Sequence, residues 1–391
     1  MSIPVPSAIP ASVTQRGQII IHVFGRTDVG LTREHNEDTF VVADLSTGNA
    51  TLQPEVRTHQ LGERGTLFMV ADGMGGAASG EIASAMAVDV VLDEIKRRWL
   101  TADGADPQQF AGVLRSATES ANTAIHRYAS EHPENRGMGT TATIAGLLGD
   151  TLYIAQVGDS RAYLVRDGTC QQITRDQSLM QQLIEAGEMT AEEAEHSDRK
   201  NIILQALGPE PRVRIDLTHQ QVRRGDTLLL CSDGLSGQVR PEEMGAVVRE
   251  EQDLMVVCKR LIDLANEHGG PDNITVVAAR FEGDGLLPPS AGDPVGRRVY
   301  QLPGSETPTI PMERYEARED TPTDPIAQPA VGGAAYPEGR AVRSATMRGR
   351  LLLLGLGALL LLLGAALVTR PLWQGLRSTQ DTARPDSSSS Q

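Results

Sequence analysis

The chain is short of cysteine and of positive charge, and each shortage removes a class of protein from consideration. Only three of its 391 residues are cysteines, Cys170, Cys231 and Cys258. They are far apart and odd in number, so they suggest neither a disulfide framework nor a zinc-type spacing, and a reducing compartment is expected. Lys and Arg total 36 against 51 Asp and Glu, a formal net charge of −15. A nucleic-acid partner would call for a basic face and is disfavoured. The amino-terminal end has no basic stretch followed by a long apolar run, so no signal peptide is expected. Residues 1–17, rich in Pro, Ser and Ala, read as a disordered lead-in.

Apolar runs predict strands over 18–24, 39–45, 66–71, 140–148, 152–157, 162–166, 213–222, 226–231 and 274–281. Two helices are expected between the third and fourth strands. One carries the stripe Ala87/Val88, Val91/Leu92, Ile95 and Trp99; the other carries Phe110, Val113/Leu114, Ala117, Ala121, Ile125 and Tyr128. A third helix is expected over 254–268. Residues 178–207 are polar, acidic and partly helical, an insertion expected to lie over a surface and to be loosely ordered. Strands in runs with little strict βαβ alternation indicate an α+β fold, largely antiparallel sheets with helices packed outside.

The character changes after residue 283. Residues 286–340 hold ten of the 22 prolines and little apolar periodicity, so 284–350 reads as a disordered tether closing a domain at 18–283. Residues 351–368, LLLLGLGALLLLLGAALV, carry no charge. As a helix they would reach roughly 27 Å, near the hydrocarbon thickness of a bilayer, and a single membrane span is expected. Arg340, Arg343, Arg348 and Arg350 precede the run, while Arg370, Arg377 and Arg384 follow more sparsely. That bias places the large amino-terminal part in the cytoplasm and the tail, 369–391, outside the inner (plasma) membrane.

Five acidic turns stand at the edges of predicted strands. They are Glu37–Asp38, Asp72 in ADGMGG, Asp159 in VGDSR, Asp233 in CSDGL, and Asp272 in GGPDN. Each alone could be only a turn. Together they are costly unless cations offset their repulsion. The donors are all oxygens, with no Cys and no paired His, which favours Mg²⁺ or Mn²⁺ over zinc. Gly73 is expected to let its carbonyl turn towards the same ion, and Gly75 and Gly76 to leave room for a phosphate-sized group.

The motifs D-x-G-x-x-R-x-x-NED (28–38), ADGMGG, MGTT (138–141), VGDSR, CSDGL and PDNITVV occur in this order. In this set the chain resembles the metal-dependent type-2C (PPM) protein serine/threonine phosphatases, from about residue 23 to 281. Its C-terminal span makes it similar to bacterial membrane-anchored members. The resemblance implies a four-layer α/β/β/α sandwich of two antiparallel sheets flanked by helices. It also implies hydrolysis of phosphoserine and phosphothreonine on proteins by attack of a metal-activated water, with Ser/Thr kinases and their substrates as partners. Asp72 would bridge two ions, Asp233 and Asp272 would serve one, and Glu37 or Asp38 with the Gly73 carbonyl the other. Asp159, with Asp233, matches a third, weaker site. Arg33 corresponds to the phosphate clamp, able to grip two oxygens as Lys could not, and 178–207 to the mobile flap.

The sequence departs from the family's animal members at Met74, where they carry a histidine taken to protonate the leaving group. A metal-bound water is the preferred donor, with His35 the weaker alternative. Gln177 stands where relatives often have His. Cys231 sits in an apolar strand and reads as packed core. An aspartyl-nucleophile phosphotransferase would need a DxD motif on the first core strand, and there is none. A binding-only adaptor would be expected to have lost metal aspartates that this chain keeps.

Overall fold

The computed structural model describes residues 17–47, 57–75, 79–197 and 199–303. The lead-in, the apolar run at 351–368, the tail, most of the tether and Gly76 lie outside the described residues. Among those described, no helix is long and apolar enough to cross a membrane.

In chain order the strands are β1 (Ile20–Asp28), β2 (Asp38–Asp44), β3 (Thr58–Gln60), β4 (Thr66–Met74), β5 (Gly139–Thr140), β6 (Ala142–Leu148), β7 (Thr151–Val157), β8 (Arg161–Arg166), β9 (Thr169–Gln172), β10 (Asp216–Gln221), β11 (Thr227–Cys231) and β12 (Ile274–Glu282). They form two sheets. One is ordered β3-β1-β12-β11-β8-β9, the other β10-β7-β6-β4-β2 with β5 beside the end of β4. Every neighbouring pair is antiparallel.

The central strands are continuously apolar because both of their faces are buried. In β4, Leu67, Met69 and Ala71 face a helix layer, while Phe68 and Val70 enter the core between the sheets. In β11, Leu228 and Leu230 join that inter-sheet core, and Leu229 and Cys231 face the opposite helix layer. The helices α1 (Ser79–Arg98) and α2 (Pro107–Glu131) cover the second sheet through the two predicted stripes. Short helices α3 (Leu179–Ala186), α4 (Ala191–Glu195) and α5 (Asp233–Ser236) follow. Then α6 (Pro241–Glu250) and α7 (Leu254–Glu267) cover the first sheet. The layers are therefore α/β/β/α. Missing from the sequence reading were the short edge strands β3 and β9, and α6.

Two expectations need correction. The insertion is more ordered than its composition suggested. Ser178 caps α3 through Gln181, Gly187 ends that helix in the left-handed region at φ 72°, and Thr190 and Glu193 form a capping box on α4. Its base is closed by hydrogen bonds from Leu179 N to Ile202 O and from Leu204 N to Gln177 O. Nor does the chain leave the domain at Gly283. Leu286 is buried in the inter-sheet core, Asp293 pairs with Arg223 at 2.8 Å, and Val299 bridges Thr218 on the edge strand β10. Tyr300 meets Tyr153 edge-on at 5.2 Å. Proline-rich composition hid this strap because the contacts that hold it to the domain are long-range.

Candidate metal centre

The sandwich brings the acidic turns to one end. Asp38 opens β2 and is the register partner of Asp72 near the end of β4. Directly opposed carboxylates repel, so this pairing needs support. Thr141 Oγ1 accepts from the Asp72 amide at 2.9 Å, and the Asp72 carbonyl accepts from Thr141 N and Thr140 Oγ1, both at 2.9 Å. These bonds fix the peptide that carries the carboxylate. β4 continues through Asp72 and Gly73 to Met74, pairing with β5. Gly73 is thus a strand residue, and its glycine identity answers a need for space. A Cβ there would fall on the carbonyl oxygens of Gly80 and Glu37.

Asp38 is buried and accepts through Oδ2 from Ser232 Oγ and Thr275 Oγ1, each at 2.7 Å. Burial lifts its pKa to about 6 against those two hydrogen bonds, with Asp233 and Asp272 adding to the rise. Glu37 stands apart from it. Burial raises its pKa as well, while Arg33 and a hydrogen bond from the Gly80 amide, in the first turn of α1, hold it down.

Asp233 begins α5 directly after Ser232. Burial and the charge of Asp272 raise its pKa, and a hydrogen bond with Asp72 opposes them. Asp72 is raised well above the usual range, first by burial and then by Asp38, Asp233, Asp159 and Asp272. Asp159 follows Gly158 and is lifted to about 8 by burial and by Asp233 and Asp176, partly offset by Arg161. Asp272 accepts from Arg33 Nη2 at 2.8 Å and from the Asn273 amide at 2.8 Å. Arg33, half exposed, therefore rests on one of the expected metal ligands.

Asn273 and Arg161 help hold this arrangement and were not singled out from the sequence, and the part that Gln177 plays was not foreseen. Asn273 accepts from the Glu37 amide at 2.8 Å and donates to the carbonyls of Val29 and His35 at 3.0 and 2.9 Å, tying the Arg33 loop to β12. Arg161 grips Asp176 through Nε and Nη2. Gln177, flagged as a departure, is buried and locks the Asp159 turn to the insertion. Its Oε1 accepts from Gly158 N at 2.9 Å and its own amide donates to Gly158 O at 2.9 Å. The signal available was that Asn273, Arg161 and Gln177 lie inside or beside acidic motifs; their partners could not be read. His35 is exposed on the Arg33 loop, and Met74 is half-buried.

The residues present fit a cation. Asp38 Oδ1, Asp159 Oδ1 and Asp233 Oδ1 are buried without a hydrogen-bond partner, a costly state for acceptor-only groups unless positive charge completes them. Two carboxyl groups in contact, as at Asp72 and Asp233, must share either a proton or a cation. As the side chains stand, no three acidic, His or Cys groups among the described residues converge closely enough to hold one ion. Asp38 and Asp272 spend oxygens on Ser232, Thr275 and Arg33, which accounts for part of that spread.

A two-sheet sandwich with buried aspartates gathered at one end defines a class with an all-oxygen cation centre. A family model described as protein phosphatase 2C matches residues 49–272. The serine/threonine phosphatase stp of Listeria monocytogenes is 38% identical over 259 residues, covering 66% of this chain and 94% of that protein. The serine/threonine protein phosphatase PstP of Mycobacterium tuberculosis is 36% identical over 267 residues, 68% of this chain and 46% of PstP. Among solved structures, the serine/threonine phosphatase of S. agalactiae has a TM-score of 0.59 at 32% identity, covering 66% of this chain and 99% of that one. The PstP catalytic domain in complex with two manganese ions has a TM-score of 0.55 at 34% identity, covering 68% and 99%. The chain belongs to the protein phosphatase 2C family and is a protein serine/threonine phosphatase.

Proposed function

We propose that the chain hydrolyses phosphoserine and phosphothreonine on proteins with two divalent cations, Mn²⁺ or Mg²⁺, and a third held more weakly. The carrying observation is the trio of unpartnered, buried aspartate oxygens at Asp38, Asp159 and Asp233 around Asp72. Asp72 would bridge two ions, Asp233 and Asp272 would serve one, and Asp38 or Glu37 with the Gly73 carbonyl the other. Asp159 and Asp233 would hold the third. Bound there, cations would let the carboxylates ionise together, make water more acidic and offset charge on the phosphoryl oxygens.

The chain's own residues do the rest. Thr140 and Thr141 keep the Asp72 peptide aimed into the cluster. Arg33, released from Asp272, turns its planar fork to two phosphoryl oxygens and orients the ester for in-line attack. Asn273 sets the position of the loop from which Arg33 reaches. Met74 has no proton to give, so water is the proposed donor to the leaving alkoxide, with exposed His35 the side-chain alternative. The Cys231 thiol is fully buried and pushed up to about 12, which removes it as a nucleophile. The test is turnover of a phosphothreonine peptide by the full-length protein. Activity should require Mn²⁺ or Mg²⁺, stop in excess EDTA and return on re-addition; full activity in EDTA would overturn the reading.

We further propose that residues 351–368 anchor the protein in the inner (plasma) membrane with the phosphatase domain in the cytoplasm, opposing Ser/Thr kinases. The uncharged run and the arginines before it support this. Deleting 351–391 should move the protein to the soluble fraction with unchanged activity on a soluble phosphopeptide. A truncated protein that still pellets with membranes would contradict it.

A further inference from the structure

Six large apolar residues are exposed among the described residues: Val29, Leu31, Ile202, Leu204, Leu287 and Val299. The last two belong to the strap. The other four lie on two segments that hydrogen bonds tie to the acidic turns. Val29 and Leu31 lie on the loop that carries Arg33, and Leu31 is the most exposed of the four at 69%. Ile202 and Leu204 close the base of the insertion, where Leu204 N donates to Gln177 O and Gln177 N donates to Gly158 O, next to Asp159. Ser178 bridges Ile203, so Ile202 and Leu204 share the opposite face of that short extended stretch.

Leu31 is presented on a fixed support. Its amide donates to Gly270 O at 2.8 Å, the Gly30 amide donates to Asp28 Oδ1 at 3.0 Å, and the Val29 carbonyl accepts from Asn273 at 3.0 Å. Gly30 sits at φ 78°, and a Cβ there would fall on the Asp272 carbonyl. Holding an aliphatic side chain in water forgoes its burial, while a rigid backbone removes the ordering cost of a later contact. Leu31 is two residues from Arg33, so a polypeptide whose phosphoryl group lay at Arg33 would carry its neighbouring side chains within reach of it, two extended residues spanning about 7 Å.

Resting on the phosphatase reading above, we infer that Leu31 is a specificity residue, an apolar rim that selects phosphorylated segments with an aliphatic side chain within two positions of the phosphorylated residue. Ile202 and Leu204 provide a second apolar stretch on the Asp159 side. The occupant is the substrate polypeptide itself, since Leu31 lies on the same loop as Arg33, two residues before it.

The test uses the full-length protein with Mn²⁺ and two phosphothreonine peptides, identical except for Leu or Ser at the positions flanking the phosphorylated residue. p-Nitrophenyl phosphate serves as the substrate with no flanking chain. Wild type should prefer the Leu peptide by about tenfold in kcat/KM, the order expected from burying part of one aliphatic side chain. Leu31→Ser should cut that preference to about twofold, Leu31→Met should keep it, and all three should hydrolyse p-nitrophenyl phosphate within about twofold of one another. A wild type without preference, or a preference unchanged in Leu31→Ser, overturns the inference and leaves the phosphatase reading standing. A Leu31→Ser effect confined to concentration-dependent self-association would assign the patch to a second copy and also overturn it. Turnover of p-nitrophenyl phosphate with neither peptide cleaved would remove the phosphoprotein reading itself.

Discussion

Two buried acidic groups in this molecule are treated in opposite ways. Asp226, 1% exposed, is completed by the chain. Arg166 donates Nε to one oxygen at 2.9 Å and Nη2 to the other at 2.6 Å, and the Arg223 amide adds a bond at 2.7 Å. Arg223 goes on to pair with Asp293 of the strap. Asp38 and Asp159 are buried and Asp72 and Asp233 partly so, and three of these four keep a buried, unpartnered oxygen where Asp226 keeps none. Burial raises the pKa of all five, Asp226 included, so the difference lies in the partners. The first arrangement closes an internal account of charge and the second leaves it open to an external cation. Burial alone does not separate a structural from a functional acid; what separates them is whether the chain supplies the counter-charge.

The largest expected effect is at Asp72. Asp72→Asn should lower kcat by about three orders of magnitude or more and weaken Mn²⁺ binding measured by calorimetry. In EDTA at pH 8 the same variant should be more stable than wild type, because it removes a carboxyl whose pKa folding raises and which therefore costs stability above its unfolded pKa. Asp226→Asn should do the reverse. It leaves Arg166 buried without its full partner, costs roughly 3–5 kcal/mol in denaturant unfolding, and spares metal affinity. A loss of stability in Asp72→Asn under those conditions would break the contrast.

A second effect follows from cation binding. Mn²⁺ at a hundredfold excess over its Kd should stabilise the folded protein by about 2.7 kcal/mol. Without metal, Asp38 and Asp159 have folded pKa values of about 6 and about 8, above those of an unfolded chain. The folded state then binds more protons than the unfolded one, so stability in EDTA should fall as pH rises from about 4 to 8. Saturating Mn²⁺ should flatten that slope; urea unfolding across the range tests both. A slope that rises would refute the assignment of these carboxyls as uncompensated.

The strap gives a third prediction. A chain ending at Gly283 should be less stable than one ending at Pro303 by roughly 2–4 kcal/mol, from the lost burial of Leu286 and Tyr300. Equal stability would mean that the Asp293 end of the ion-pair chain carries no weight. The smallest effect is expected at the insertion. Replacing 188–199 by a short Gly/Ser link should leave p-nitrophenyl phosphate hydrolysis within about tenfold, ~1.4 kcal/mol in barrier height. Hydrolysis of phosphoproteins should change more. Equal losses on both substrates would mean that the segment supports Asp159.

The acidic positions were legible because each joins a carboxylate to a turn signal at the end of an apolar strand, a local pattern. The sheets were legible because β4, β7 and β11 each carry an apolar run of three or more residues. Less visible was everything whose meaning depends on a distant partner. Ser232 and Thr275 are ordinary strand-end residues until the sheets bring both to Asp38 Oδ2. Asn273 reads as a turn residue, and only the fold reveals its three bonds to the Arg33 loop. Glu37 and Asp38 are adjacent and chemically alike, and the sequence could not divide them. In the fold Asp38 takes hydrogen bonds from Ser232 and Thr275, while Glu37 meets the Gly80 amide at the start of α1 and the charges of Arg33 and Asp272. Proline-rich composition suggested a tether where the strap packs, because composition reports local stiffness and says nothing of Tyr300 meeting Tyr153.

The pairing of β1 with β12 sets the order in which the domain can be completed. All nine residues of β1 are matched to β12 in the interior of one sheet, across more than two hundred residues of chain. During synthesis the strands of the other sheet are all available once Gln221 has emerged, but β1 has no inner neighbour until Glu282 appears. Closing so long a loop is slow. Asp233 and Asp272 arrive on the same late segment, so a nascent chain exposes Asp38 and Asp72 with half of their acidic company missing. If cations bind among these acids, the full set is assembled only after the first and last strands have met, so a loaded site would report that both sheets have been made.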